Sequence, residues 1–231
     1  MSGPTLPAEP GERLIVPLDF PSGREALAMA RRLEPVRWVK VGLELFCAEG
    51  PGIVEDLASM GKQVFLDLKL HDIPNTVAGA VASVTRLPVR LLTMHASAGP
   101  KAMEAASRAA AERDDFGVLA VTRLTSDATG GSDFADVARF AEGAAQAGLF
   151  GVVCPAAAAP LVRERFGDRL ARVVPGIRPR GVEAHDQVHV ATPEKAIAAG
   201  AHWIVVGRAI TRADDPAAAA RGILAALAGG A

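Results

Sequence analysis

Lys62-Gln-Val-Phe-Leu-Asp67-Leu-Lys69-Leu-His71-Asp72-Ile-Pro74-Asn-Thr76 divides into a strand, a charged end and a turn. Val64, Leu66 and Leu68 alternate with Phe65, Asp67 and Lys69, the period of a β-strand. Side chains two apart share a strand face, so Asp67 and Lys69 project the same way, a carboxylate beside an ammonium at the strand's end. Pro74 forbids further pairing and restricts Ile73, and Asn75 or Thr76 is placed to cap a following helix. Asp67, Lys69 and Asp72 are costly near a core, and such groups are either solvated or functional.

The same unit, strand to polar end to helix, recurs on both sides of this stretch. Residues 13–19 read as a first strand ending in Asp19, with Ser22 as N-cap of the next helix. Residues 36–42 form a second strand carrying Lys40, followed by a helical stretch to Met60 that Gly50-Pro51-Gly52 interrupts. After the opening strand and a helix over 76–87, a fourth strand at 89–95 ends in His95. A helix from about 100 to 113 leads to a fifth strand at 116–121, then Thr122-Arg-Leu-Thr125-Ser126 and a glycine-rich loop through Ser132. Phe134, Val137, Ala138, Ala141 and Ala145 give the next helix an apolar stripe. Strand six is 151–154, with a helix to Phe166. Strand seven is 171–176, with a long loop to Thr192-Pro193, a helix start with cap and N1 proline. Strand eight is 202–207, and the last helix runs from about 215 to 228.

Eight short apolar strands, each followed by a helix with no linker between halves, imply an α/β fold with a parallel sheet closed as a single (β/α)8 TIM barrel. An open doubly wound sheet is the alternative, and the lack of Gly-x-Gly-x-x-Gly after the first strand weakens it. Asp19, Lys40, Asp67, Lys69, His95, Thr125, Arg178 and Arg208 all fall at or just beyond the C-terminal ends of strands, the active-site face of such a barrel.

Composition agrees. Half of the 231 residues are hydrophobic, ample for one core, with residues 12–231 as the barrel domain. Met1 to Gly11, rich in proline and glycine and without a signal-peptide core, reads as a flexible extension. A net charge of −1 and a pI near 6.5 give no reason to expect nucleic acid or a membrane surface. No apolar run approaches the roughly 20 residues of a membrane span. Cys47 and Cys154 lie in apolar surroundings without metal-ligand spacing and read as buried reduced thiols in a cytoplasmic protein. No metal-ligand cluster is visible among the five histidines. Pro175-Gly-Ile-Arg178-Pro179 and Gly207-Arg208-Ala209-Ile210 follow strands seven and eight, where barrels often hold a phosphate with backbone N–H groups and a cation. A solvated arginine at a strand end is the alternative reading of Arg208, weakened because both loops converge on the same rim.

Asp-Leu-Lys-Leu-His-Asp-Ile-Pro-Asn-Thr at 67–76 resembles the signature of the orotidine 5'-phosphate decarboxylase family. Val-Pro-Gly-Ile-Arg-Pro at 174–179, Asp186-Gln187, Val-Val-Gly-Arg-Ala-Ile at 205–210 and Leu124-Thr125-Ser126 are similar to further segments of it. The resemblance covers the chain from about Leu14 to the final helix. It implies a cofactor-free, metal-free decarboxylase that makes UMP from orotidine 5'-phosphate (OMP), acting as a homodimer with shared sites. Lys40, Asp67, Lys69 and Asp72 would form the catalytic array. Asp19 and Lys40 would contact the ribose, Thr125 the pyrimidine, and Arg178, Gln187, Gly207 and Arg208 the phosphate end. Asp72 and Thr76 would reach into the partner's site. Val-His-Val-Ala between Gln187 and Thr192 departs from the family, which often has a basic residue there.

The residue types suit that chemistry. Loss of CO2 from C6 of a pyrimidine leaves a carbanion in the ring plane, so stabilisation must be electrostatic, from a fixed cation that can also donate the proton. Lys69 is the expected acid, with Asp67 orienting it near the substrate carboxylate. Lys40, Asp67, Lys69 and Asp72 together are near charge-neutral, which makes their burial tolerable. His95 reads equally as a hydrogen-bonded wall and as a participant. Two competitors share parts of the pattern: a magnesium-dependent decarboxylase of keto-sugar acid phosphates, and a barrel that senses a nucleotide without turning it over.

Overall fold

The computed structural model describes residues 3–123, 134–179 and 191–229. Its strands are β1 (Leu14–Pro17), β2 (Trp38–Gly42), β3 (Gln63–Leu70), β4 (Val89–His95), β5 (Gly117–Val121), β6 (Gly151–Val153), β7 (Ala171–Val174) and β8 (Trp203–Val205). Neighbours pair in parallel in chain order, and β8 returns to β1 through Leu14↔Ile204 and Ile15↔Val205, so the sheet closes into the expected eight-stranded barrel. The helices are α1 (Gly23–Arg32), α2 (Leu43–Glu49), α3 (Gly52–Ser59), α4 (Pro74–Val84), α5 (Pro100–Ala110), α6 (Ala135–Gln146), α7 (Ala159–Phe166), α8 (Pro193–Ala198), α9 (Arg208–Thr211) and α10 (Pro216–Gly229). Among the described residues no helix is long and apolar enough to cross a membrane.

Strand alternation sorts the apolar residues into two shells. Val16, Val39, Val41, Leu66, Leu92, Ala120, Val152 and Ile204 belong to the larger cluster that also takes in the helices. Ile15, Trp38, Phe65, Leu91, Leu119, Val173 and Trp203 form a separate cluster inside the barrel. Trp38 and Trp203 meet edge to face with centroids 5.5 Å apart, and the Phe150 ring lies 6.2 Å from Trp203. Phe150 occupies the space beside Gly117, where a Cβ would come within 2.6 Å of its ring. Each such buried side chain contributes about 1.5–3 kcal/mol. This apolar plug fills the N-terminal half of the barrel and leaves the C-terminal half to polar groups.

Ser22 caps α1 by accepting from Glu25 N–H, and Thr192 caps α8 in front of Pro193, both as expected. The start of α4 differs from expectation. Pro74 occupies the first helical turn and Ile73 is the N-cap, so Asn75 and Thr76 already lie inside the helix. Proline, with φ fixed and no N–H to satisfy, makes the earlier start favourable. Cys154 is buried, and burial pushes its thiol up to about 12, but Cys47 is exposed: on the short α2 it is Leu45 that faces the core. Of the extension expected over Met1 to Gly11, described from residue 3, Gly3 and Leu6 touch the barrel's N-terminal end, and Glu12 opens the barrel domain. Gly3 N–H donates to Asp114 O at 2.8 Å, Leu6 packs on the inner cluster, and Glu12 pairs with Arg37 at 3.0 Å.

Candidate active site

Above the aromatic plug, the C-terminal face opens into a cavity of about 650 Å³. Asp67 and Lys69 enter it from one face of β3, and Lys40 enters from β2. The Lys69 Nζ lies 2.8 Å from Asp67 Oδ2, and the Lys40 Nζ lies 3.4 Å from the same oxygen. Lys40 also reaches Asp19 Oδ1 at 3.1 Å. The result is an alternating row, Asp19–Lys40–Asp67–Lys69, that runs from a 60% exposed carboxylate to one that is 12% exposed. Gly42 keeps the row open, because a Cβ there would sit 3.0 Å from the Lys40 Nζ.

Burial alone would push the Asp67 carboxyl up. The Lys40 and Lys69 ammonium groups, with hydrogen bonds from Lys69 and Thr93, outweigh it and hold the carboxyl below the ordinary range. Thr93, wholly buried on the inward face of β4, donates from its hydroxyl to Asp67 Oδ1 at 2.9 Å. The same hydroxyl accepts the Lys69 backbone N–H at 2.9 Å. Lys69 itself has φ of 50°, the one positive value at a non-glycine residue among the described residues.

Arg178, 7% exposed, and Gly207 and Arg208 line the opposite wall of the same cavity, and Gly176 turns the chain there with φ of 75°. Arg123, beyond β5, and Arg212, one turn after Arg208, line it too. Neither was singled out from sequence, although both follow strands whose ends were recognised as the functional face. Thr93 was also missed. Its position two residues before His95, on the inward face of β4, was the available signal.

Asp72 and Thr76 do not join this cavity. Both are exposed, and Asp72 Oδ1 accepts from the N–H of its neighbour Ile73 at 2.7 Å. Ile73, between them in the chain, is 66% exposed. His71 and His95 stand with ring centroids 5.3 Å apart, and burial, then His71 and Lys69, lowers the His95 imidazole below its usual value. Thr125 and Gln187, like Ser126 and Asp186, lie outside the described residues.

The family model for the orotidine 5'-phosphate decarboxylase / HUMPS family matches residues 12–223. The chain belongs to this family. An orotidine 5'-phosphate decarboxylase of Alkalilimnicola ehrlichii is 51% identical over 217 residues, 90% of this chain and 92% of that one. One from Anaeromyxobacter sp. (strain K) is 49% identical over 228 residues, 95% and 100% of the two chains. Among solved structures, orotidine 5'-phosphate decarboxylase from Lactobacillus acidophilus superposes with a TM-score of 0.79 at 34% identity, covering 92% of this chain and 97% of that chain. The family match takes in every strand of the barrel and both walls of the cavity.

Proposed function

We propose that this protein is an orotidine 5'-phosphate decarboxylase, a carboxy-lyase that converts OMP to UMP and CO2 at the end of de novo pyrimidine synthesis. The observation that carries the reading is the buried Asp67 carboxylate shared by two ammonium groups, at 2.8 and 3.4 Å, across a cavity from Arg178 and Arg208. The names of the relatives support the same substrate. Residues 12–231 form the catalytic domain in this reading, in a cytoplasmic protein.

The chemistry needs no organic cofactor or metal. The bond between C6 and the carboxyl carbon breaks, its electron pair stays on C6, and CO2 leaves. The Lys69 ammonium stabilises the pair as it forms and then protonates C6, and solvent returns the proton to the amine. Asp67 aims Lys69 and lies beside the departing carboxylate. Lys40 bridges Asp67 and Asp19, a pair suited to the ribose hydroxyls. Arg178, Gly207 and Arg208, with Gln187, hold the phosphate by charge-assisted and backbone hydrogen bonds, and Thr125 meets the pyrimidine. Asp72 and Thr76 are exposed and outside the lining of their own cavity, and their neighbour Ile73 is an exposed large apolar side chain, which supports a homodimer in which they complete the partner's site.

The test is the fall in ultraviolet absorbance when purified protein meets OMP, run with and without EDTA. Turnover that EDTA leaves unchanged is expected. Activity lost to EDTA and restored by magnesium would favour the metal-dependent keto-sugar acid reaction, and tight nucleotide binding without turnover would favour a sensor.

A further inference from the structure

Between Leu66 and Leu70 the chain of β3 advances four residues while its partner advances only from Leu92 to Met94 on β4. β3 therefore carries two residues more than its neighbour at the point where Asp67 and Lys69 enter the cavity, a bulge of the kind that re-aims side chains. The bulge leaves the Lys69 N–H opposite the Thr93 hydroxyl. It also needs Lys69 in the left-handed region, where a lysine has no intrinsic reason to stay.

The direction of the hydrogen bonds follows from chemistry. The carboxylate of Asp67 can only accept and the Lys69 N–H can only donate, so the single hydroxyl proton of Thr93 goes to Asp67. One buried oxygen is thus tied to the backbone of the lysine and the side chain of the aspartate, whose other oxygen meets the lysine's own ammonium. Thr93 is 0% exposed, so no solvent molecule stands ready to replace it.

We propose that Thr93 is a positioning residue for the decarboxylation, its hydroxyl locking the β3 bulge in the backbone state that holds Lys69 and Asp67 toward each other and into the cavity. Without it, Lys69 can relax to ordinary φ and carry its ammonium away from the reacting carbon, and Asp67 Oδ1 loses its donor. The effect falls on the alignment of the acid and leaves the phosphate wall, beyond the ends of β7 and β8, untouched. The inference rests on the decarboxylase reading of the site.

The test compares Thr93→Val, which keeps the shape and removes the hydroxyl, with Thr93→Ser, which keeps the hydroxyl. In Thr93→Val kcat is expected to fall by at least tenfold, with KM for OMP and the Kd for UMP within threefold of the natural protein. Thr93→Ser is expected to keep kcat within threefold. If Thr93→Val does not fold, Thr93→Ala against Thr93→Ser carries the same comparison. The proposal is overturned if the variant without the hydroxyl keeps kcat within threefold, if serine does not rescue, or if the loss lies in KM alone. A natural protein that does not turn over OMP overturns the decarboxylase reading as well, whereas an active natural protein with an indifferent Thr93 overturns this inference only.

Discussion

In the proposed reaction most of the chemistry converges on Lys69, and its replacement is expected to separate binding from turnover. Lys69→Ala removes the ammonium 2.8 Å from Asp67 but leaves Arg178, Gly207 and Arg208 in place. A group needed most when charge develops is worth more in the transition state than in the bound ground state. Turnover is therefore expected to fall more than about a hundredfold while UMP still binds, measured by steady-state kinetics and calorimetry. A loss short of tenfold would reject Lys69 as the acid. That Asp67 and Lys69 meet was legible from their spacing of two on a strand. That Lys69 does so from a left-handed backbone was not, because nothing in Leu68-Lys69-Leu70 favours positive φ and the cause lies in Thr93, 24 residues on. Long-range hydrogen bonds leave no local pattern to read.

At the scale of strands and helices, the pattern of alternation was readable and the terminal details were not. β1, β7 and β8 each end two residues earlier than expected, and the residues that follow lead into the segments that hold Asp19, Arg178 and Arg208. The opposite ends of β7 and β8 carry a pH-dependent clasp. The Arg172 backbone N–H donates to His202 Nδ1 at 3.0 Å, so the neutral ring carries its proton on Nε2, which donates to Asp168 Oδ1 at 3.1 Å. Burial, with the Arg172 guanidinium, lowers the His202 imidazole from 6.5 to about 4. The unfolded chain then binds a proton more readily than the folded one between these values. Stability from this group is expected to be fully present above about pH 6.5 and to be lost as pH falls toward about 4. Thermal melting from neutral to acid pH should show this slope, and His202→Asn should flatten it. An unchanged slope in that variant would place the titrating group elsewhere.

The whole molecule raises the question of assembly. Each chain presents Lys69 inside its cavity and Asp72 outside it. In a two-fold dimer with shared sites, each site takes Asp67 and Lys69 from one chain and Asp72 and Thr76 from the other. Mixing inactive Lys69→Ala with inactive Asp72→Asn then restores activity, because a mixed dimer has one doubly mutated site and one intact site. With random exchange about half the dimers are mixed, so roughly a quarter of the sites recover. Verified heterodimers as inactive as their parents would return Asp72 to its own chain. The cavity has a further consequence, for the approach of substrate. Among its described lining residues stand six cations, Lys40, Lys69, Arg123, Arg178, Arg208 and Arg212, against the carboxylates of Asp19 and Asp67, in a chain whose net charge is −1. Such a mouth draws an anionic nucleotide in from beyond contact range and turns aside cations, so capture becomes a matter of ionic strength. Raising salt from about 0.01 M to about 0.15 M shortens the screening length from about 30 Å to about 8 Å. In stopped-flow measurements the association rate of UMP should drop severalfold over that interval, with its dissociation rate changing far less.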